Sequence, residues 1–240
     1  MAERIAKFIA RSGVCSRRKA EELILQKRVS VNGETVESPA FNVTGTEKIL
    51  LDGERLPQVE QTRLWIYYKP EGLVTSHKDE KDRPTVFEHL PEGMPRVISV
   101  GRLDLNSEGL LLLTNNGELS RRLELPSNGW ARRYKVRVHG PLDDKKLNSL
   151  QNGIEVDGVK YGSIKVEVET VKGTNAWLLV TLSEGKNREI RKVMKAIGLD
   201  VNRLIRLSYG PFQLGSLHKG EVREIPQKVL KEQLGAKFPL

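Results

Sequence analysis

One carboxylate stands out for its setting, in the segment VISVGRLDLNSEGLLLLTNNGELSRRL over residues 97–123. The pattern predicts a strand ending near Val100, a tight turn at Gly101, a loop carrying Arg102, Leu103 and Asp104, and a second strand from Gly109. A loop aspartate ordinarily caps a turn. Asp104, however, lies between Leu103 and Leu105 with Arg102 nearby, where it could face a partly apolar cleft instead of open water. A carboxylate so placed is a candidate reacting group. Two more segments hold polar side chains beside apolar stripes. In ARRYKVRVHG, Tyr134, Val136 and Val138 share one face of a strand, so Tyr134 reads as a buried sheet aromatic. In SEGKNREIRKVMKAIG, a strand end runs into a helix with Ile190, Val193, Met194 and Ile197 as its core stripe and Gly198 as its stop. Arg191 flanks that stripe and, taken alone, reads as a surface arginine.

A second concentration of chemistry is the cationic N-terminus. Residues 1–28 hold eight basic and three acidic side chains, whereas residues 29–60 hold two and six. Arg17, Arg18 and Lys19 crowd the first turn of a helix capped by Ser16, and Lys27 and Arg28 sit near its end. Cations at a helix C-terminus are favourable, but three at the N-terminus oppose the dipole. A bound phosphate would relieve that opposition, since helix N-terminus and guanidinium groups can cradle one anion.

The elements that must position these residues follow from periodicity. A helix with Ile5, Phe8 and Ile9 breaks at Ser12-Gly13; a second carries Ala20, Leu23 and Ile24; hairpins are expected at Asn32-Gly33 and Asp52-Gly53. This makes a module over residues 1–60, with a polar linker over 57–63. Strands are expected at 64–68, 96–100, 109–114, 132–138, 163–170, 177–182 and 203–208, and helices at 117–125, 142–151, 188–197 and 226–234. The result is an α+β fold: a small N-terminal module, then a domain over residues 64–235 with a mixed, largely antiparallel sheet flanked by helices.

Composition bounds the function. With 38% hydrophobic and 30% charged residues the chain is globular, and its longest aliphatic run, Leu110 to Leu113, is too short to cross a bilayer. Charges at Glu3, Arg4, Lys7 and Arg11 interrupt any secretory signal, so a cytoplasmic protein that does not engage membranes is expected. Cys15 is alone, and His77, His89, His139 and His218 show no ligand spacing; no metal is expected. Neither a GxGxxG run nor a complete phosphate loop is present, and no cofactor is expected. A formal charge of +9 favours a polyanionic partner.

These segments resemble known families. Residues 11–21 and 27–33 are similar to the alpha-L RNA-binding motif, which implies RNA binding. Gly101-Arg102-Leu103-Asp104, followed by Gly109 to Leu112, Thr114, Asn115 and Gly117, resembles the signature of ribosomal RNA pseudouridine synthases, with Ser107 where threonine is usual and Asn116 where aspartate is usual. The resemblance implies that Asp104 is the catalytic aspartate, Tyr134 the tyrosine that stacks on the target base, Arg191 the basic partner of Asp104, and Leu204 an aliphatic residue under the site. It implies isomerisation of uridine without a cofactor, the carboxylate acting at ribose C1′ as nucleophile or in elimination to a glycal. Arg102, Arg132 and Arg133, with Arg121-Arg122, would then hold phosphates alongside Arg17, Arg18, Lys19, Lys27 and Arg28. The run Asn187 to Lys192 is more similar to the large-subunit branch, which implies 23S ribosomal RNA as the partner; separately, a monomer is expected. Two competing readings are an RNA-binding factor without catalysis and a hydrolase with Glu108 or Glu184 as second carboxylate.

Overall fold

The computed structural model describes residues 2–235. The N-terminal module comprises β1 (Glu3–Arg4), α1 (Ile5–Arg11), α2 (Arg17–Leu25), β2 (Val29–Val31), β3 (Glu34–Thr35), β4 (Asn42–Val43), β5 (Ile49–Leu51) and β6 (Glu54–Arg55). The two expected hairpins form because Asn32-Gly33 and Asp52-Gly53 all take positive φ, the backbone twist that suits two-residue turns. Ile5, Ile9, Ala20, Ile24, Val29 and Val43 are buried against each other, so the module has a core of its own. Ser16 caps α2, accepting the Lys19 backbone N–H at 3.2 Å.

The second domain runs β7 (Leu64–Lys69), β8 (Ile98–Val100), β9 (Glu108–Thr114), α3 (Gly117–Glu124), β10 (Arg132–His139), α4 (Asp144–Ser149), β11 (Ile154–Val156), β12 (Val159–Tyr161), β13 (Ile164–Lys172), β14 (Asn175–Leu182), α5 (Glu189–Ala196), β15 (Asp200–Tyr209), β16 (Phe212–Gln213), β17 (Val222–Glu224) and α6 (Gln227–Leu234). Its nine-stranded sheet has the order β13-β14-β10-β15-β9-β7-β17, with β16 on β15 and β8 on β9. Every pair is antiparallel except β9 with β15, which align in parallel at Glu108↔Ile205 and Gly109↔Arg206. One apolar cluster joins Val136, Val138, Leu178 and Val180 to Val193 and Met194 of α5; another joins Leu110 and Leu112 to Leu119, Leu123 and Leu230 of α3 and α6. Among the described residues no helix is long and apolar enough to cross a membrane.

Differences from the expected elements have local causes. The strand expected from residue 96 starts at Ile98, and the helix expected over 142–151 starts after its Asp143 cap, which accepts the N–H groups of Lys145 and Lys146. The β11–β12 hairpin, turning on Asp157-Gly158 at positive φ, lay inside a stretch with no strong alternation.

The parallel contact demands glycine at position 109. Its φ is +104°, and a Cβ there would overlap the backbone of Arg206. Gly109→Ala is expected to lower stability by about 1–3 kcal/mol or more, read from the urea midpoint at unchanged slope, because neither backbone can move without breaking the sheet. An unshifted midpoint would contradict the close approach.

Candidate active site

Asp104 lies in the loop joining β8 to β9, and that loop is fastened through its backbone. Lys69, at the end of β7, is fully buried and donates to the carbonyls of Asp104 at 3.2 Å, Ser107 at 2.9 Å and Pro70 at 3.0 Å. The Thr75 hydroxyl donates to the Leu103 carbonyl at 2.8 Å, and the Gly72 N–H donates to that of Leu105 at 2.9 Å. On the other side Arg191 donates to the Asn106 carbonyl at 2.6 Å and the Val201 carbonyl at 2.9 Å, tying the loop to β15. The main chain is thus held while the Asp104 side chain stays 36% exposed.

Its ion-pair partner corrects an expectation. Arg188, not Arg191, approaches the carboxylate, with Nη1 at 3.7 Å from Oδ2. Arg191 spends its donors on the two carbonyls and leaves Nε buried without an acceptor. Burial lowers the Arg191 pKa and Asp104 opposes that, so the two still interact through space. The reason is geometric: Arg188 is the cap of α5 and adopts a left-handed backbone at φ 51°, ψ 30°, which turns it towards the cleft one turn ahead of Arg191. A non-glycine residue in that region is strained, which the surrounding contacts must offset.

Burial drives the Lys69 pKa down from 10.5 to about 8, against the opposing pull of Asp104. Below that pH the ammonium offers three donors to the loop carbonyls; above it the neutral amine offers two. Turnover is therefore expected to fall as pH rises past about 8, and Lys69→Met should remove that limb along with most activity. The pH–rate profile checks this: a flat profile through pH 9 would show that holding the loop does not require the charged ammonium.

The loop borders a cleft of about 1000 Å³ lined by Asp104, Tyr134, Arg188, Leu204 and Arg206, with Arg102 and Arg132 at its walls. Tyr134 and Leu204 are 8% and 7% exposed and belong to one apolar cluster, so a flat ring entering here would meet both. Arg17 and Arg18 of the N-terminal module line the same cleft.

The remaining cations separate into engaged and open. Arg28 forms a two-point pair with Asp52, Lys27 pairs with Glu37 at 2.7 Å and Lys19 with Glu22 at 2.9 Å; none of the three lines the cleft. Arg132 donates to the carbonyls of Ser183 and Glu184 and lies over the Tyr209 ring, which makes it a brace of the wall. Arg133, exposed, alternates with Tyr134 and so points to the other face of the sheet. The two nominated second carboxylates are already occupied. Glu108 is fully buried between Arg203 and Lys219, and Glu184 holds Lys186 and the Gly162 N–H.

Four contributors escaped the reading of the sequence. Lys69 had a signal, a lysine closing the apolar strand LWIYYK, but its acceptors lie some 35 residues onward. Arg188 sits in the same basic run as Arg191. Arg206, 4% exposed, donates to the Leu110 carbonyl at 2.7 Å from a strand. Glu189 is buried on the cleft wall, where desolvation raises its pKa, and accepts the Lys186 N–H at 2.9 Å.

Comparison with known proteins gives this geometry a context. Residues 63–196 match the model of the RNA pseudouridylate synthase family, and residues 3–49 match the S4 domain. A protein of Rickettsia felis described as an uncharacterized RNA pseudouridine synthase is 50% identical over 230 residues, covering 96% of this chain and 100% of that one. The ribosomal large subunit pseudouridine synthase B of Yersinia pestis is 42% identical over 220 residues, covering 89% and 69%. A crystal structure of a pseudouridylate synthase superposes with a TM-score of 0.66 at 29% identity, covering 97% and 99%. With a family model matched over more than half of the chain and relatives 42–50% identical along most of it, the chain belongs to the RNA pseudouridine synthase family.

Proposed function

We propose that this enzyme converts a uridine of ribosomal RNA, within 23S ribosomal RNA, to pseudouridine, with Asp104 acting at the ribose C1′. The observation that carries the reading is the cleft itself, which Asp104, Tyr134 and Leu204 line together with cations of both modules. The target base leaves its stack at a cost of a few kcal/mol, which stacking on Tyr134 partly offsets. With Arg188 beside it, Asp104 acts on C1′ as the bond to N1 breaks. The uracil turns, the bond from C1′ to C5 forms, and the proton on C5 passes to solvent as N1 takes one up. Nothing is oxidised or reduced. The large-subunit assignment is supported by the name and 42% identity of the Yersinia pestis relative.

Residues 1–60 supply an electrostatic anchor in this reading. Their removal is expected to weaken RNA affinity and flatten its salt dependence while leaving Asp104, Tyr134 and Leu204, which all belong to the second domain, in place. An unchanged salt slope would contradict an anchoring role. The decisive experiment maps pseudouridines in ribosomal RNA from cells lacking the protein. Loss of a large-subunit site, restored by the wild-type gene and not by Asp104→Asn, is expected. Retention of every ribosomal site would overturn the substrate assignment.

A further inference from the structure

A second cleft, of about 820 Å³, opens between the two modules and has no part in the chemistry above. On one side are Lys7, Arg11 and Arg17, from α1 and the start of α2; on the other are Arg96, Arg121 and Arg122, before β8 and on α3. Six cations thus surround one carboxylate, Glu118. That carboxylate is shared: it accepts Lys7 of the first module at 3.2 Å and Arg122 at 2.6 Å. Arg11 leans on Glu3 at 3.0 Å and Arg17 on Glu21 at 3.5 Å. Arg96 and Arg121 are exposed, and neither has a carboxylate within 4.0 Å among the described residues. Cys15 of the first module and Arg96 of the second both line the cleft.

Mutually repelling cations gathered around a cavity focus the field on whatever anion enters it. Glu3, Glu21 and Glu118 answer four of the six cations, which leaves Arg96 and Arg121 without a carboxylate partner among the described residues and the wall with a net positive charge. The two clefts share Ser16, Arg17, His77 and Ile98 as wall residues, so one strand can pass from the first to the second. We propose that the inter-module cleft seats the phosphate backbone of the RNA strand flanking the target nucleotide, and that Glu118 holds the place of one phosphate until RNA displaces it. The seat needs both modules, since neither alone brings more than half of the cations. This rests on the reading above only in taking RNA as the substrate. It adds a second contact surface and an internal competitor for it.

The alternative role for Glu118 is a latch between modules, and the two roles give opposite signs. The test measures binding of a mixed-sequence single-stranded RNA oligonucleotide to the full chain across a salt series, with thermal unfolding of each variant followed in parallel. Glu118→Gln is expected to tighten binding severalfold and steepen the dependence of log K on log salt, because a phosphate no longer competes with the carboxylate. Lys7→Gln is expected to weaken binding. A latch predicts that both variants move affinity the same way, since each breaks the same ion pair. Arg96→Gln with Arg121→Gln is expected to weaken binding and reduce the salt slope by about 1.4, two single-strand contacts at about 0.7 each. Glu118→Gln that weakens or leaves affinity unchanged overturns the proposal, as does an unchanged slope in the double arginine variant. If Glu118→Gln lowers the unfolding temperature, Glu118→Ala and the arginine pair are compared at a temperature where all are folded, and the same signs decide. Oligonucleotide binding is read without turnover, so failure of the 23S assignment would leave this result standing, and the reverse.

Discussion

Asp104→Asn is expected to abolish isomerisation, by roughly a thousandfold or more, while RNA affinity stays within a few fold. The substitution keeps the volume and removes the negative charge. The loop keeps its shape because its fastenings reach backbone atoms: Lys69 to the Asp104 and Ser107 carbonyls, Thr75 to Leu103 and Arg191 to Asn106. What changes is the loop carboxylate at the cleft, the group proposed to bond to C1′ or assist loss of the base. Release of tritium from 5-tritiated uridine in RNA measures the loss, and filter binding of the same RNA measures affinity. Retention of more than a few per cent of wild-type turnover would remove Asp104 as the reacting group. Base loss without rejoining would instead favour hydrolysis, but Glu108 and Glu184 are each committed to cations, leaving no free second carboxylate among those nominated.

Arg188→Met and Arg191→Met should both lower turnover severely and should differ in stability. Arg188 contributes an ion pair at 3.7 Å between side chains 46% and 36% exposed, a class of contact worth little to folding. Its loss is expected to cost at most about 0.5 kcal/mol in stability, with turnover down by about a hundredfold as the carboxylate loses its orienting charge. Arg191 is half-buried and satisfies two carbonyls. Its loss is expected to cost about 1–3 kcal/mol and to let the loop shift, so turnover falls because Asp104 is misplaced. Arg191→Lys should recover part of the activity but not both hydrogen bonds, since one ammonium cannot reproduce the fork. Denaturant midpoints and kcat for the two variants separate the roles. Near-normal turnover in Arg188→Met, beside a large loss in an Arg191→Met protein of unaltered stability, would return the direct pairing to Arg191.

The elements were legible because short-range physics sets them. Asn32-Gly33 and Asp52-Gly53 can take the positive φ that two-residue hairpins require, Ser16 caps the helix it precedes, and the stripe of Ile190, Val193 and Met194 marks the face of α5 that must be buried. The loop carrying Asp104 was legible too, since Gly101, the flanking leucines and the following apolar strand are all adjacent in sequence. Decisions left to the tertiary structure involve distant partners or near-equivalent neighbours. Arg188 and Arg191 lie three residues apart in one basic run, and only the left-handed turn at Arg188 assigns one to the carboxylate and the other to the loop backbone. The burial of Lys69 could not be foreseen, because a lysine is tolerated inside an apolar sheet only where several carbonyls converge, and those of Asp104 and Ser107 arrive through pairing of β7 with β9. Arg28 and Lys27 looked available in a basic tract until folding brought Asp52 and Glu37 beside them. Local sequence sets backbone preference and burial pattern, whereas the partner of a charge depends on which strands become neighbours, and that is decided by packing across the whole chain.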